Sequence, residues 1–206
     1  MNAAAATPLD LSTLLPGFSE PARQSQSCFR LIMDATALPG SISDFADLCL
    51  TPPQGIDKAA AACLLTLADA DTNLWLDPAL RNSESENWLR FHTGAPITTE
   101  ANTATFALIS SIESAPNFGE FNQGDAKYPD RSTTILVMVS SLSGGTHLTL
   151  RGPGINDEIV IAPRGLSEKF WRERDELVAH FQFGIDLILS AGSQLVSIPR
   201  TTRITY

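Results

Sequence analysis

The stretch I-D-K-A-A-A-A-C-L-L-T-L-A-D-A, residues 56–70, constrains the fold more than any other part of the chain. Between Lys58 and Asp69 it carries no charge, and alanine favours the helix more than any other residue does. A helix that is apolar around its circumference has no face to give to water, so it must be covered on several sides. Directly after it, N-L-W-L-D (73–77) reads as a short buried strand. A buried helix leading into a buried strand implies helices layered on a sheet.

The rest of the pattern extends this reading. Ser19-Glu20-Pro21 opens a helix with Phe29, Ile32, Met33 and Thr36 on one side, and Leu38-Pro39-Gly40 ends it. In S-E-S-E-N-W-L-R-F-H-T-G, Ser83 and Glu86 have capping-box spacing, with Gly94 as the stop. Strands are predicted at 103–109, 133–142, 146–152 and 157–163, and a long polar loop at 117–132. Ser167 caps L-S-E-K-F-W-R-E-R-D-E-L-V-A-H-F, an amphipathic helix with Phe170, Leu177 and Phe181 inward and a charged opposite face. G-I-D-L-I-L-S-A-G and Q-L-V-S-I-P-R are strands joined by a Gly-Ser-Gln turn. Helices and strands interleave early, and an antiparallel run follows. The expectation is one α/β domain over 19–206, a mixed sheet flanked by helices, preceded by a flexible arm at 1–18.

Composition removes several function classes. At 206 residues and 43% hydrophobic, the chain buries about 70% of its unfolded surface in one core. A net charge of −9 argues against binding nucleic acid non-specifically, since that requires basic side chains on phosphates. No apolar run reaches the roughly 20 residues that span a bilayer. Cys28, Cys49 and Cys63 lack C-x-x-C spacing, fit a reducing cytoplasm, and sit among apolar neighbours as small buried hydrophobes. His92, His147 and His180 fall in separate segments without metal-ligand spacing.

The segment V-S-S-L-S-G-G-T-H-L-T-L-R-G-P-G-I (139–155) looks at first like a phosphate loop. Such a loop must lead into a helix N-terminus, whereas T-H-L-T-L-R-G alternates as a strand does. Ser143-Gly144-Gly145 is therefore read as a hairpin turn, and His147 as a strand-face residue. Asp69 and Asp71 suit a turn, and no serine lies in a G-x-S-x-G elbow. The chain has only three lysines, Lys58, Lys127 and Lys169, out of 14 basic residues, so arginine forks are the available anion binders. Arg90 and His92, near one helix end, and Arg200, in I-P-R-T-T-R, are the anion-binding candidates, although helix-dipole complementarity accounts for the first two. Arg203, like Arg200, is open to an anion or a partner carboxylate, with partner or solvent contact favoured for both. No catalytic, cofactor-binding or metal-ligating residue is identified.

Six segments, in order, resemble a known family: S-C-F-R-L-I-M-D-A-T-A-L-P-G, L-L-T-L-A-D-A-D-T, W-L-R-F-H-T-G-A-P, V-S-S-L-S-G-G, L-R-G-P-G-I and G-I-D-L-I-L-S-A-G…I-P-R-T-T-R. They are similar to the PhnH subunits of the bacterial carbon–phosphorus lyase system and run from Ser27 to Arg203. Phe181-Gln182-Phe183 stands where the family often has Phe-Pro, and the N-terminal arm extends past the usual start. The resemblance implies a role in organic phosphonate catabolism within a core complex with PhnG, PhnI and PhnJ. That complex exchanges the adenine of ATP for a phosphonate to give a ribose 1-phosphonate 5-triphosphate. Radical cleavage with an iron–sulfur cluster and S-adenosylmethionine would belong to PhnJ. The resemblance also implies a fold similar to the large domain of pyridoxal-phosphate-dependent transferases, and a homodimer when isolated. None of the three lysines follows a strand end, where such a fold presents its Schiff-base amine, so the pyridoxal phosphate site is expected to be absent. Three dispersed cysteines do not make a four-iron site. The expectation is a non-catalytic assembly subunit, with a phosphonate- or nucleotide-binding subunit as the alternative.

Overall fold

The computed structural model describes residues 14–113, 115–179 and 182–206, so His180 and Phe181 of the fourth predicted helix lie outside the described residues. Four helices form: α1 (Pro21–Ala37), α2 (Lys58–Leu67), α3 (Ser83–Thr93) and α4 (Glu168–Val178). Strands β1 (Ser43–Asp44), β2 (Leu74–Leu76), β3 (Ile97–Thr98), β4 (Phe106–Ile109), β5 (Thr134–Met138), β8 (Asp186–Ala191) and β9 (Gln194–Ile198) build one sheet. Its order is β1-β9-β8-β5-β4-β2-β3. The strands from β3 to β8 run parallel, and β9 and β1 close one edge antiparallel.

Both faces of this sheet are covered, which is why its strands read as nearly continuous apolar runs. Leu74, Leu76, Leu108, Leu136, Ile188 and Leu195 point to a layer made by α1, α2 and α3. Their neighbours Trp75, Ala107, Ile109, Ile135, Leu187 and Val196 point the other way, toward Phe118, Phe121, Phe170 and Trp171. Residues 59–64 of α2 are fully buried, as the charge-free stretch requires. Asp57 caps this helix, its carboxylate accepting from the Ala60 N–H at 2.7 Å. Burial pushes the Asp57 carboxyl above the usual carboxylate range.

Four details differ from expectation, each for a physical reason. First, Ser143-Gly144-Gly145 does not turn a hairpin. β5 stays in the large sheet, whereas β6 (Leu148–Arg151) joins β7 (Ile159–Ile161) and β10 (Arg203–Thr205) in a separate antiparallel sheet ordered β10-β6-β7. The glycines instead pass close to residues 162–164: the Gly145 N–H donates to the Ala162 carbonyl, and a bridge joins Ser141 to Arg164. A Cβ at Gly145 would collide with the Pro163 carbonyl. Second, the cap of α3 is Asn82, whose side chain accepts from the Ser85 N–H at 3.0 Å, and Ser83 is already helical. Gly94 closes that helix in the left-handed conformation, as expected.

Third, the inner face of α4 holds Phe170, Trp171 and Arg174, with Leu177 partly buried. Arg174 is buried because its Nη2 donates to the Pro199 carbonyl at 2.8 Å and its Nη1 pairs with Asp175. A charge can leave water when its donors find acceptors. Fourth, Cys28 and Cys63 are buried, with their thiols pushed up by burial, but Cys49 is exposed in the loop after β1. Leu50 takes the inward position beside it.

Substituting Asn82→Ala is expected to cost about 1 kcal/mol of folding stability, and Ser83→Ala less than about 0.5 kcal/mol. Urea denaturation of the two variants distinguishes the caps, and the reverse ranking would restore Ser83 to that role.

Candidate functional site

The three predicted anion-binding residues do not converge. Arg90 and His92 occupy the last turn of α3, where the carbonyl end of a helix favours cationic side chains. Arg90 pairs with Glu86 one turn earlier at 3.2 Å, on the surface. His92 faces the other way, its Nε2–H donating a hydrogen bond to the Leu15 carbonyl at 3.0 Å. Its imidazole packs edge-on to Trp88 and Phe91, and Gly17 passes against it so closely that a Cβ there would meet the ring. His92 thereby fastens residues 14–18, whose Leu14, Leu15 and Phe18 pack on the helical-side core.

Arg200 follows β9, beside the start of β8. Its backbone N–H and its Nε both donate to Asp186 Oδ1, at 2.8 and 3.2 Å, and Nη2 pairs with Asp186 Oδ2. Nη1 donates to the Pro129 carbonyl at 2.8 Å, and Nη2 also meets the Ser132 hydroxyl. The guanidinium therefore ties the end of β9 to the start of β8 and to the long loop at 117–132. Nearly all its donors are satisfied within the chain, and its charge reaches a cavity of about 560 Å³ that it lines with Arg203.

In parallel α/β sheets, ligands bind beyond the carboxyl ends of the strands. At that edge lies a residue that sequence reading treated only as the end of a strand, Asp77. It is fully buried. Its Oδ2 accepts from the Ser110 N–H, the Ser110 hydroxyl and the Ser111 N–H at 2.9–3.0 Å, and its Oδ1 from the Ala79 N–H at 3.1 Å. The carboxylate locks the turn after β2 to the turn after β4. Beside it, Arg81 donates to the Leu76 carbonyl and lies over the Trp75 ring, 5.2 Å from its centroid. The only sequence signal for Asp77 was an acidic residue closing an apolar strand, which also fits an exposed turn.

The lysines are dispersed. Lys58 Nζ donates to the Ala46 carbonyl at 3.3 Å, Lys127 lies over Tyr128, and Lys169 is exposed on α4. Among the described residues, no three His, Cys, Asp or Glu side chains gather as a metal would require. No helix among them is long and apolar enough to cross a membrane.

The most conspicuous surface feature is apolar. Phe29, Ile32, Met33 and Thr36 share one side of α1, as their spacing predicts, and that side lines an open groove of about 520 Å³. Leu67 of α2 and the residues Phe106, Thr134 and Asp186, which begin β4, β5 and β8, form its other walls. Ile32 is buried, but Phe29 and Met33 remain 49% and 51% exposed. Burial of α1 runs instead through Cys28, Ile32 and Ala35, leaving half of the apolar side to the groove.

Comparison with known proteins gives this geometry a context. The family model described as bacterial phosphonate metabolism protein (PhnH) matches residues 16–205. The chain is 42% identical over 187 residues to the alpha-D-ribose 1-methylphosphonate 5-triphosphate synthase subunit PhnH of Rhizobium meliloti (strain 1021), covering 91% of this chain and 93% of that one. It is 32% identical over 186 residues to HtxG of Stutzerimonas stutzeri, whose name places it with C-P lyase subunits, covering 89% of this chain and 87% of that one.

Asp77→Ala leaves several buried donors without an acceptor and is expected to cost about 3 kcal/mol, with Asp77→Asn between it and the parent. Thermal unfolding measures the ranking, and a neutral Asp77→Ala would show that this carboxylate does not hold the sheet edge.

Proposed function

The chain belongs to the PhnH family of bacterial phosphonate metabolism proteins, and from that premise we propose that it is a non-catalytic assembly subunit of a carbon–phosphorus lyase complex. The family match from residue 16 to residue 205 carries this reading. Both curated relatives are named as subunits, and the chain spans most of each. The proposed role is to support, within that complex, the reaction after which the Rhizobium relative is named. The proposed partners are the PhnG, PhnI and PhnJ chains, with a homodimer as the isolated form and the cytoplasm as the compartment.

The surfaces fit a subunit. The arginines most expected to meet a ligand serve the fold: Arg90 is paired with Glu86, and Arg200 with Asp186. What α1 leaves to solvent is an aromatic and a thioether side chain in a groove. Such side chains are enriched at the centres of protein interfaces. We assign this groove to a partner chain of the lyase complex.

The fold is proposed to be related to the large domain of pyridoxal-phosphate-dependent transferases without retaining their cofactor. Lys58 turns its ammonium to a backbone carbonyl, and the other two lysines stand in a surface loop and on an outer helix. Addition of pyridoxal phosphate to the purified protein should produce no Schiff-base absorbance band, and a stoichiometric band removed by substituting one lysine would reverse the proposal.

Co-expression with the other lyase subunits should yield a complex that co-purifies with this chain. Phe29→Ser combined with Met33→Ser should leave the isolated chain within about 1 kcal/mol of the parent. The same pair should weaken association by at least about tenfold, as loss of central apolar anchors does. A chain that never co-purifies contradicts the assembly role, and undiminished association of the double variant contradicts the assignment of the groove.

A further inference from the structure

A cavity of about 700 Å³ opens at the carboxyl end of the large sheet, and Trp75, Pro78, Arg81, Glu100, Pro116 and Glu120 are among its walls. The topology creates it. β2 lies between β3 and β4, and these three strands run parallel. The chain leaving β2 passes through α3 to β3 on one side, setting Trp88 and Leu89 in the helical-side core. The chain leaving β4 goes to β5 on the other side, setting Phe118 and Phe121 in the opposite core. Segments that diverge in this way leave a crevice beyond the strand ends, where open parallel sheets receive their ligands. Asp77 holds the two departing turns together, with its carboxylate on Ser110 and Ser111.

The charges on these walls have both signs. Arg81 is half-buried, its Nε donates to the Leu76 carbonyl at 2.8 Å, and Trp75 lies beneath it. Its Nη1 and Nη2 have no hydrogen-bond or ion-pair partner among the described residues. Two such donors, held side by side, match the two oxygens of a carboxylate. The other charged walls are acidic. Glu100 is exposed, and its carboxylate has no ion-pair partner among the described residues. Glu120 is exposed as well, with one oxygen accepting from the Asn117 N–H at 3.2 Å. A doubly charged oxyanion on Arg81 would meet two like charges here, and a simple cation would meet Arg81.

We propose that this crevice binds a small zwitterion, an amino carboxylate. Arg81 takes the carboxylate on its Nη pair, Glu100 and Glu120 face the ammonium, and Pro78 and Pro116 border the carbon body. The proposal is independent of the assembly role. The α1 groove is walled by the residues that begin β4, β5 and β8, at the other end of the sheet, so either site can be filled without the other.

Calorimetric titration of the full chain with leucine and, separately, 4-aminobutyrate tests it, with acetate and methylammonium as the two half-ligands. Saturable binding of at least one amino carboxylate is expected, with a Kd of about 1 mM or tighter. Each half-ligand should bind at least about tenfold more weakly than the whole. The tighter of the two zwitterion arms gives the spacing of the charges. Arg81→Lys keeps the charge but loses the fork, and it should weaken binding by at least about tenfold. Glu100→Gln should do the same while leaving the melting temperature unchanged, because Glu100 is exposed and its side chain holds nothing in the fold. Absence of saturable binding in the parent, equal affinity for either half-ligand, or binding that both substitutions leave unchanged overturns the proposal.

Discussion

The structure depends on the close seating of α2 against the sheet. Ala59 to Ala62 place four small side chains where larger ones would hold the helix away, and all four are buried. Because nothing from Ala59 to Leu64 needs water, α1 and α3 can flank this helix, and the strands beneath can be apolar on both faces. Asp57, half-buried at the start of α2, satisfies one orphan amide of the helix, that of Ala60. The second layer, with α4 and the three-stranded sheet, covers the opposite face and completes the enclosure.

This arrangement determines what remains outside. Once Cys28, Ile32 and Ala35 of α1 have met α2 and the sheet, Phe29 and Met33 have no intramolecular surface left to cover them. The chain keeps its charges away from that groove or pairs them: Asp186, on its wall, is held by Arg200. An apolar groove bordered by satisfied polar groups suits association, which gains most where no charge has to be desolvated. The arginines near the end of β9 follow a different logic. There Arg174 and Arg200 are built into the fold, while Arg203 stays exposed.

Much of the helical framework was legible in the sequence, because it is local. The charge-free run at 59–68, the glycine stop at Gly94 and the Ser167 cap all act within a few residues of themselves. Long-range pairing was not legible. Ser143-Gly144-Gly145 between two strand-like segments has the composition of a hairpin, and only the contact of Ser141 with Arg164 shows that the chain changes sheets there. The spacing of Phe29, Ile32, Met33 and Thr36 revealed their common side but not whether anything covers it. Arg174 and Asp77 were not singled out, for a shared reason. A charge reads as solvent-facing until its partners, Pro199 and Asp175 in one case and Ser110 and Ser111 in the other, are brought in from distant segments.

Hydrogen–deuterium exchange on residues 26–37, in the isolated chain and after reconstitution with the other lyase subunits, tests the central claim most directly. If the outer side of α1 is the surface that joins the complex, exchange in this helix slows on assembly. A complex that forms while exchange across α1 stays at its free rate would contradict the account.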